Sequence, residues 1–270
     1  MPSTTEITPK QLFRLIGGAD APAIVDVRID ADFDDDPHFA PTAFRWPHAR
    51  IEALAPRLAG RRVVVICQKG LKLSQGAAAM LRAEGIAAET LQGGAFAWRE
   101  EGLPTIRAAA MPPRDGAGRT VWATRQRPKI DRVACPWLIR RFIDPGARFL
   151  FVAPSEVKLV AEKFGAEPFD VAGVRFTHRG DGCAFDAMLE EFGLSHPALD
   201  AVAAIVRGAD TARPELAAEA KGLMAISFGL SRIYRDDLAQ VEAGLSVYDA
   251  LYRWARDARD EVHDWTPEAA

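Results

Sequence analysis

The chain has few cysteines, no long apolar run and no surplus of charge, and each shortage removes a class of protein. Its 3 cysteines, Cys67, Cys135 and Cys183, lie far apart without a CxxC pair, which argues against a disulfide scaffold or a zinc knuckle. No apolar stretch reaches the roughly 18 to 20 residues that span a bilayer. The opening MPSTTEITPK lacks the basic-then-apolar order of a secretory signal, so a soluble, cytoplasmic protein with no membrane partner is expected. A formal net charge of -3 gives no general pull towards nucleic acid, and no helix-turn-helix or zinc finger accompanies the basic residues. No internal repeat is visible.

What is present is apolar material: 270 residues, 49% hydrophobic, enough for one large core or two modest ones, and two are expected. Thr8, Pro9 and Gln11 supply an N-cap, a first-turn proline and a capping-box partner for a helix presenting Leu12, Leu15 and Ile16. Ala23–Val27 and Arg62–Cys67 are short, β-branched apolar runs, the pattern of strands buried on both faces of a parallel sheet. Ser74–Glu84 reads as a helix stopped by Gly85, and Ala87–Leu91 as the next strand before the Gly93-Gly94 turn. The fold class expected for residues 1–107 is therefore α/β, a parallel sheet flanked by helices. Residues 108–118 (AAAMPPRDGAG) read as a flexible linker. Residues 119–270 read as a mainly helical second domain, with helices led by Pro136, from Ser155, over Ala184–Phe192 and Pro197–Ala209, and beyond Glu215. One strand is expected at Gly173–His178.

Cys67 stands where a buried strand ends and a loop, QKGLK, leads into a helix, so its sulfur is placed at the carboxyl edge of the sheet, where open α/β folds bind ligands. Successive loop N–H groups form an anion nest, the helix N-terminus adds partial positive charge, and Lys69 and Lys72 add whole charges. All of these favour thiolate over thiol, and a thiolate can attack the outer sulfur of a donor and carry it as a persulfide. Gly70 suits a loop folded around a ligand, and Gln68 and Leu71 are placed at its mouth. Two other readings stand beside this one. A free cysteine at a strand end is often buried and inert. A phosphatase also uses a cysteine loop, but closes it on an arginine that grips phosphate in a fork, whereas this loop closes on Lys72.

The DVR of Asp26 to Arg28, the cysteine loop and LQGGAFAW (Leu91–Trp98) occur in an order that resembles the rhodanese domains, across most of residues 5–107. The resemblance implies that Cys67 carries the persulfide and that Gln68, Lys69, Gly70, Leu71 and Lys72 cradle it. Asp26 and Arg28 then act structurally, a sulfane donor and a thiol acceptor are the partners, and sulfur transfer needs no cofactor. The family's usual loop arginine is Lys72 here, and its following serine is displaced to Ser74.

Trp122–Phe149, HRGDGCAFD (His178–Asp186), IVRGADT (Ile205–Thr211), LSRIYRDD and YDALYRW (Tyr248–Trp254) resemble the C-terminal domain of chromate-resistance proteins of the ChrB type. From the residues themselves, Val174, Phe176 and His178 alternate, so His178 points inwards or closes that face at the strand end. Asp210 falls on the apolar stripe of Leu199, Ala203 and Val206, where an ionised carboxylate needs a partner. A metal site of His178 and Asp210, joined by Asp181 or Cys183, would suit iron, manganese or zinc. The plainer reading is an Asp paired with arginine and a satisfied core histidine. Arg127, Lys129 and Arg132, with Arg125, Arg140 and Arg141, crowd around the Pro136 helix, either as an oxyanion site for chromate or sulfate or as a solvated face. Cys135 and Cys183 are candidate sulfur acceptors, with burial the simpler role. His196 is expected as a surface or cap residue, with His38, His48 and His263. The function expected is sulfur transfer through Cys67 in chromate or oxidative-stress resistance. The other class open is an oxyanion- or metal-binding regulator without turnover. Oligomeric state leaves no trace in the sequence.

Overall fold

The computed structural model describes residues 5–262. His263 and Trp265 lie outside them. Thr8 and Gln11 form the reciprocal capping box, Gln11 N–H to Thr8 Oγ1 at 3.2 Å and Thr8 N–H to Gln11 Oε1 at 3.0 Å. This box seats α1 (Pro9–Leu15) directly after the short strand β1 (Glu6–Ile7). There follow β2 (Ala23–Asp26), α2 (Asp30–Asp34), β3 (His38–Phe39), β4 (Phe44–Arg45) and, after a 3-10 segment, α3 (Ala55–Leu58). The first half closes with β5 (Arg62–Ile66), α4 (Lys72–Ala83), β6 (Ala87–Leu91), α5 (Gly94–Glu100) and β7 (Ile106–Arg107). The 5-stranded sheet has the order β1-β6-β5-β2-β4 and every pairing in it is parallel, as the apolar runs predict. Strands β3 and β7 make a separate antiparallel pair.

Alternation along β5 sends its side chains to two cores. Val64 and Ile66 face a large core that continues into the second half of the chain, whereas Val63, Val65 and Cys67 face Ala77, Ala78 and Leu81 of α4. Each buried valine or isoleucine contributes roughly 1.5–3 kcal/mol, so the strand's register is firmly set and with it the position of Cys67.

The second half begins with β8 (Val121–Arg125) and α6 (Asp131–Leu138), which passes into a π-helical turn, Ile139–Ile143. Then come β9 (Arg148–Val152), α7 (Val157–Phe164), β10 (Glu167–Pro168), α8 (Ala184–Phe192), α9 (Pro197–Asp210), α10 (Ala220–Ile233) and α11 (Asp237–Asp257). A 3-stranded parallel sheet, β10-β8-β9, lies among these helices. Among the described residues no helix is long and apolar enough to cross a membrane.

Three expectations need correction. Gly173–His178 is not a strand: it makes one isolated bridge, Phe169 to Phe176, and is otherwise turn and bend. Glycines with positive φ, Gly173 at 72° and Gly180 at 52°, turn the chain away at both ends before a ladder forms. Pro136 does not lead its helix but lies inside it, because the helix begins at Asp131. Nor is the connection between the halves loose. Residues 108–118 hold a 3-10 turn, Arg114 bridges to Thr120 and pairs with Asp144 at 3.3 Å, and Arg57 donates to Ala117 O at 2.7 Å. The halves also meet directly: Thr42 N–H donates to Phe142 O at 2.7 Å, Arg256 donates to Ile16 O at 3.3 Å, and the rings of Phe13 and His196 stand 4.9 Å apart.

Candidate functional site

Two clusters of reactive side chains stand at the carboxyl ends of parallel strands. The first follows β5. Cys67 is 4% exposed, and its Sγ lies 3.2 Å from Ser74 Oγ on the first turn of α4, which also donates to Leu71 O at 3.2 Å. The displaced serine thus reaches the sulfur after all. Backbone packing holds the loop between them: Ala95 N–H donates to Cys67 O at 3.0 Å and Phe96 N–H to Gln68 O at 3.1 Å. This clamp needs glycine. A Cβ on Gly94 would stand 2.2 Å from Cys67 O and 2.4 Å from Gly70 N, and one on Gly70 would stand 2.5 Å from Leu91 O. Both glycines have positive φ, 61° and 70°.

The N–H groups of Lys69, Gly70 and Leu71 have no acceptor among the described residues. Lys69, Leu71 and Lys72 are exposed, Gln68 is half-buried and Gly70 is buried. Asp26 and Arg28 are structural, as the resemblance implies. Arg28 is buried, bonds Asp26 through Nε at 2.9 Å, and donates to the carbonyls of Asp36 and His38. This arginine pins the end of β2 beside the cysteine loop.

The second cluster lies where β8 and β10 end. Asp131 opens α6, Asp170 follows β10, His178 sits in the loop before α8, and Asp210 is the last residue of α9. His178 Nε2 stands 3.3 Å from Asp131 Oδ2, 3.4 Å from Asp170 Oδ1 and 3.2 Å from Asp210 Oδ2. Asp131 and Asp170 are buried. Arg125 and Arg132 reach Asp170 at 2.6 and 3.0 Å. The Asp131 carboxylate, aided by Asp210 and Asp170, raises the His178 imidazolium pKa to about 9. Burial, with Asp131 close by, raises the Asp210 carboxyl to about 7 and also raises Asp170. Two positions carry unusual backbone: Asp170 has φ 51°, and Ile130, a β-branched residue, has φ 40° and is tied by its N–H to Ser227 Oγ and by its carbonyl to Tyr248 Oη, each at 2.8 Å.

His178 and Asp210 therefore meet, which gives Asp210 the partner that its place on the apolar stripe of α9 calls for, and His178 lies at the edge with its side chain 42% exposed. Asp181 stays outside the cluster, 89% exposed and paired with Arg213. Cys183 is fully buried at the N-cap of α8, where its N–H donates to Asp186, and burial drives its thiol well above the ordinary range. Burial does the same to Cys135. Neither thiol is placed to accept sulfur. Asp131 and Asp170 escaped sequence reasoning, although Asp131 in KIDRVACPW opens a helix where a carboxylate complements the dipole. His196 caps α9, its Nδ1 accepting from Ala198 N–H at 3.2 Å.

The basic cluster does not form an oxyanion site. Arg127 donates to the carbonyls of Ser231 and Tyr234, Arg132 to those of Gln126 and Arg127 as well as to Asp170, and Lys129 lies over the Phe228 ring. Arg140 pairs with Glu242 and Arg141 with Asp249. The helix N-terminus that was to aid them lies at Asp131, already occupied by a carboxylate.

A parallel α/β sheet with a glycine-clamped cysteine loop is thus joined to a second, mainly helical domain. Residues 122–255 of that second domain match the family model described as ChrB, C-terminal domain. Protein ChrB of Cupriavidus metallidurans is 40% identical over 156 residues, covering 56% of this chain and 46% of that protein. The chain thus spans less than half the length of this curated relative. Among solved structures, a thiosulfate sulfurtransferase from Pseudomonas aeruginosa is similar at 27% identity and a TM-score of 0.35, over 39% of this chain and 20% of that one. A rhodanese-related protein from Thermoplasma volcanium is similar at 22% identity and a TM-score of 0.33, over 37% of this chain and 96% of that one.

Proposed function

We propose that the protein is a sulfurtransferase that carries sulfane sulfur as a persulfide on Cys67 and works in resistance to chromate or related oxidative stress. The observation that supports this best is the cysteine loop itself: a thiol at the end of a buried strand, beside Ser74 Oγ, on a loop whose path two glycines fix. With thiosulfate as donor, the Cys67 thiolate attacks the outer sulfur; the bond to the sulfonate sulfur breaks, and sulfite leaves with the electron pair. The new S–S bond, about 2.05 Å long, carries the terminal sulfur out from the buried Sγ towards the loop amides, which stabilise its negative charge. An acceptor thiolate or cyanide then attacks that terminal sulfur and Cys67 leaves as thiolate.

Intact-mass measurement after thiosulfate treatment is expected to show one added sulfur on the wild-type chain, and assay with cyanide is expected to yield thiocyanate. Cys67→Ser should lose both, with turnover falling by at least about 1,000-fold, as for removal of a nucleophile. A chain that takes up no sulfur, or a Cys67→Ser variant that still turns over, would end this reading. A second reading, a metal-binding sensor without turnover, draws on the histidine and aspartate cluster of the second half. Ligand-dependent retention of DNA by a chain inert towards thiosulfate would favour it.

A further inference from the structure

We propose that Asp131, Asp170 and His178, with Asp210 beside the imidazole, form a binding site for one divalent transition-metal cation of the manganese, iron and zinc class. This site is independent of sulfur transfer at Cys67. The residues come from four separate segments, the start of α6, the loop after β10, the loop before α8 and the end of α9, and gather around His178 Nε2.

Spacing is the first argument. Three carboxylate oxygens stand 3.2, 3.3 and 3.4 Å from Nε2. Ligands bound at about 2.0–2.1 Å with tetrahedral angles are separated from one another by about 3.3–3.4 Å, so each of these oxygens stands from Nε2 as one ligand stands from another. The donor atoms of Asp131, Asp170 and His178 also lie within 4.8 Å of one another.

The second argument is an unmet bonding demand. Asp131 is 2% exposed, and its Oδ2, pointed at Nε2, has no hydrogen-bond partner among the described residues. A single Nε2–H cannot bond three carboxylate oxygens, and the guanidinium groups of Arg125 and Arg132 both go to Asp170. The imidazole stands 3.3 Å from Asp131 Oδ2, and a cation among the donors would supply the bond that this buried oxygen lacks. Arg125 and Arg132 then hold Asp170 from behind, as outer partners do around metal ligands. Three carboxylates and one imidazole are oxygen-rich with one borderline donor, a set suited to manganese, iron or zinc rather than to copper(I). The half-exposed edge of His178 gives a cation its way in from solvent.

The test uses the full chain, stripped with chelator and titrated with Mn2+ or Zn2+, with bound metal read by elemental analysis after gel filtration and affinity by calorimetry. Wild type should take up one equivalent and melt at a higher temperature when loaded. Asp131→Asn, which keeps shape but removes charge, and His178→Ala should each weaken binding by more than about 100-fold. Asp181→Asn should bind as wild type does. Because His178 is half-exposed, its variant keeps the test open if the Asp131 variant does not fold. No uptake by the folded wild-type chain at millimolar metal, or uptake unchanged in His178→Ala, would overturn the proposal.

Discussion

The two clusters occupy the same place in two sheets and are built in opposite ways. Cys67 follows β5, and Asp170 follows β10 while Asp131 follows β8; each is at the carboxyl edge of parallel strands, where the chain leaves the ladder and backbone and side chains are free to converge. At Cys67 the sulfur is backed by the apolar side chains of α4 and touched by one hydroxyl, with Lys69 and Lys72 exposed on the loop that follows, cationic company rather than anionic. At His178 they are carboxylates, an environment for a cation. The strand edge sets the location, and what the following loop presents, amide or carboxylate, sets the charge of the ligand. The two should therefore break differently, the first through its glycines and the second through its side chains.

Adding one methyl group gives the largest effect. In Gly94→Ala the new Cβ falls 2.2 Å from Cys67 O and 2.4 Å from Gly70 N, on a residue whose φ of 61° already disfavours a side chain. The cysteine loop must move, and displacing a reacting group by about 1 Å costs about 100-fold in rate. We expect thiosulfate turnover to fall by at least that factor, with a lower melting temperature, while metal uptake at the distant carboxylates is kept. Full turnover in Gly94→Ala would show that the clamp does not position the sulfur.

The same contrast explains what could be read from the sequence. The cysteine loop was legible because its parts are contiguous: strand, loop and helix follow one another from Arg62 to Ala83, and the Gly93-Gly94 turn is nearby in the chain. The cation cluster draws on residues 131, 170, 178 and 210, which no short-range spacing connects. Only His178 and Asp210 announced themselves, the first by alternation with Val174 and Phe176, the second as a carboxylate on an apolar stripe that had to be paired. Asp131 was hidden by Pro136, whose preference for a first turn suggested a later helix start; here the missing proline N–H is tolerated inside α6, ahead of the π-turn. Residues 108–118 have a linker's composition, but the same prolines and glycines also make tight turns, and Arg114, Asp115 and Arg119 fasten them. Composition alone cannot separate the two.

A smaller effect separates the roles of Ser74 and the loop. Ser74→Ala removes the one hydroxyl beside Sγ and leaves the amides in place. A single hydrogen bond of this kind contributes about 1–1.5 kcal/mol, so kcat/KM for thiosulfate should fall by about tenfold, with the persulfide still formed in intact-mass spectra. An unchanged kcat/KM would reduce Ser74 to packing and leave the amides as the whole anion site.

The smallest effect concerns the seam between the halves, where His196 caps α9 and packs against Phe13 of α1. Its Nδ1 accepts a hydrogen bond and must be unprotonated to do so. Burial first, then the charge of Arg256, lowers its pKa below the ordinary 6.5. The folded state thus favours the neutral ring, and the stabilisation is present above the unfolded value of 6.5 and lost as pH falls through the lowered folded value. Replacing His196 with alanine should cost about 1 kcal/mol at about pH 8, the usual loss of an N-cap. The gap between the two denaturation curves should narrow towards about pH 5, as the wild-type ring protonates and gives up the bond. A gap that stays constant with pH would mean that the ring acts by packing on Phe13 alone, and that the join between the halves is apolar contact without a titrating part.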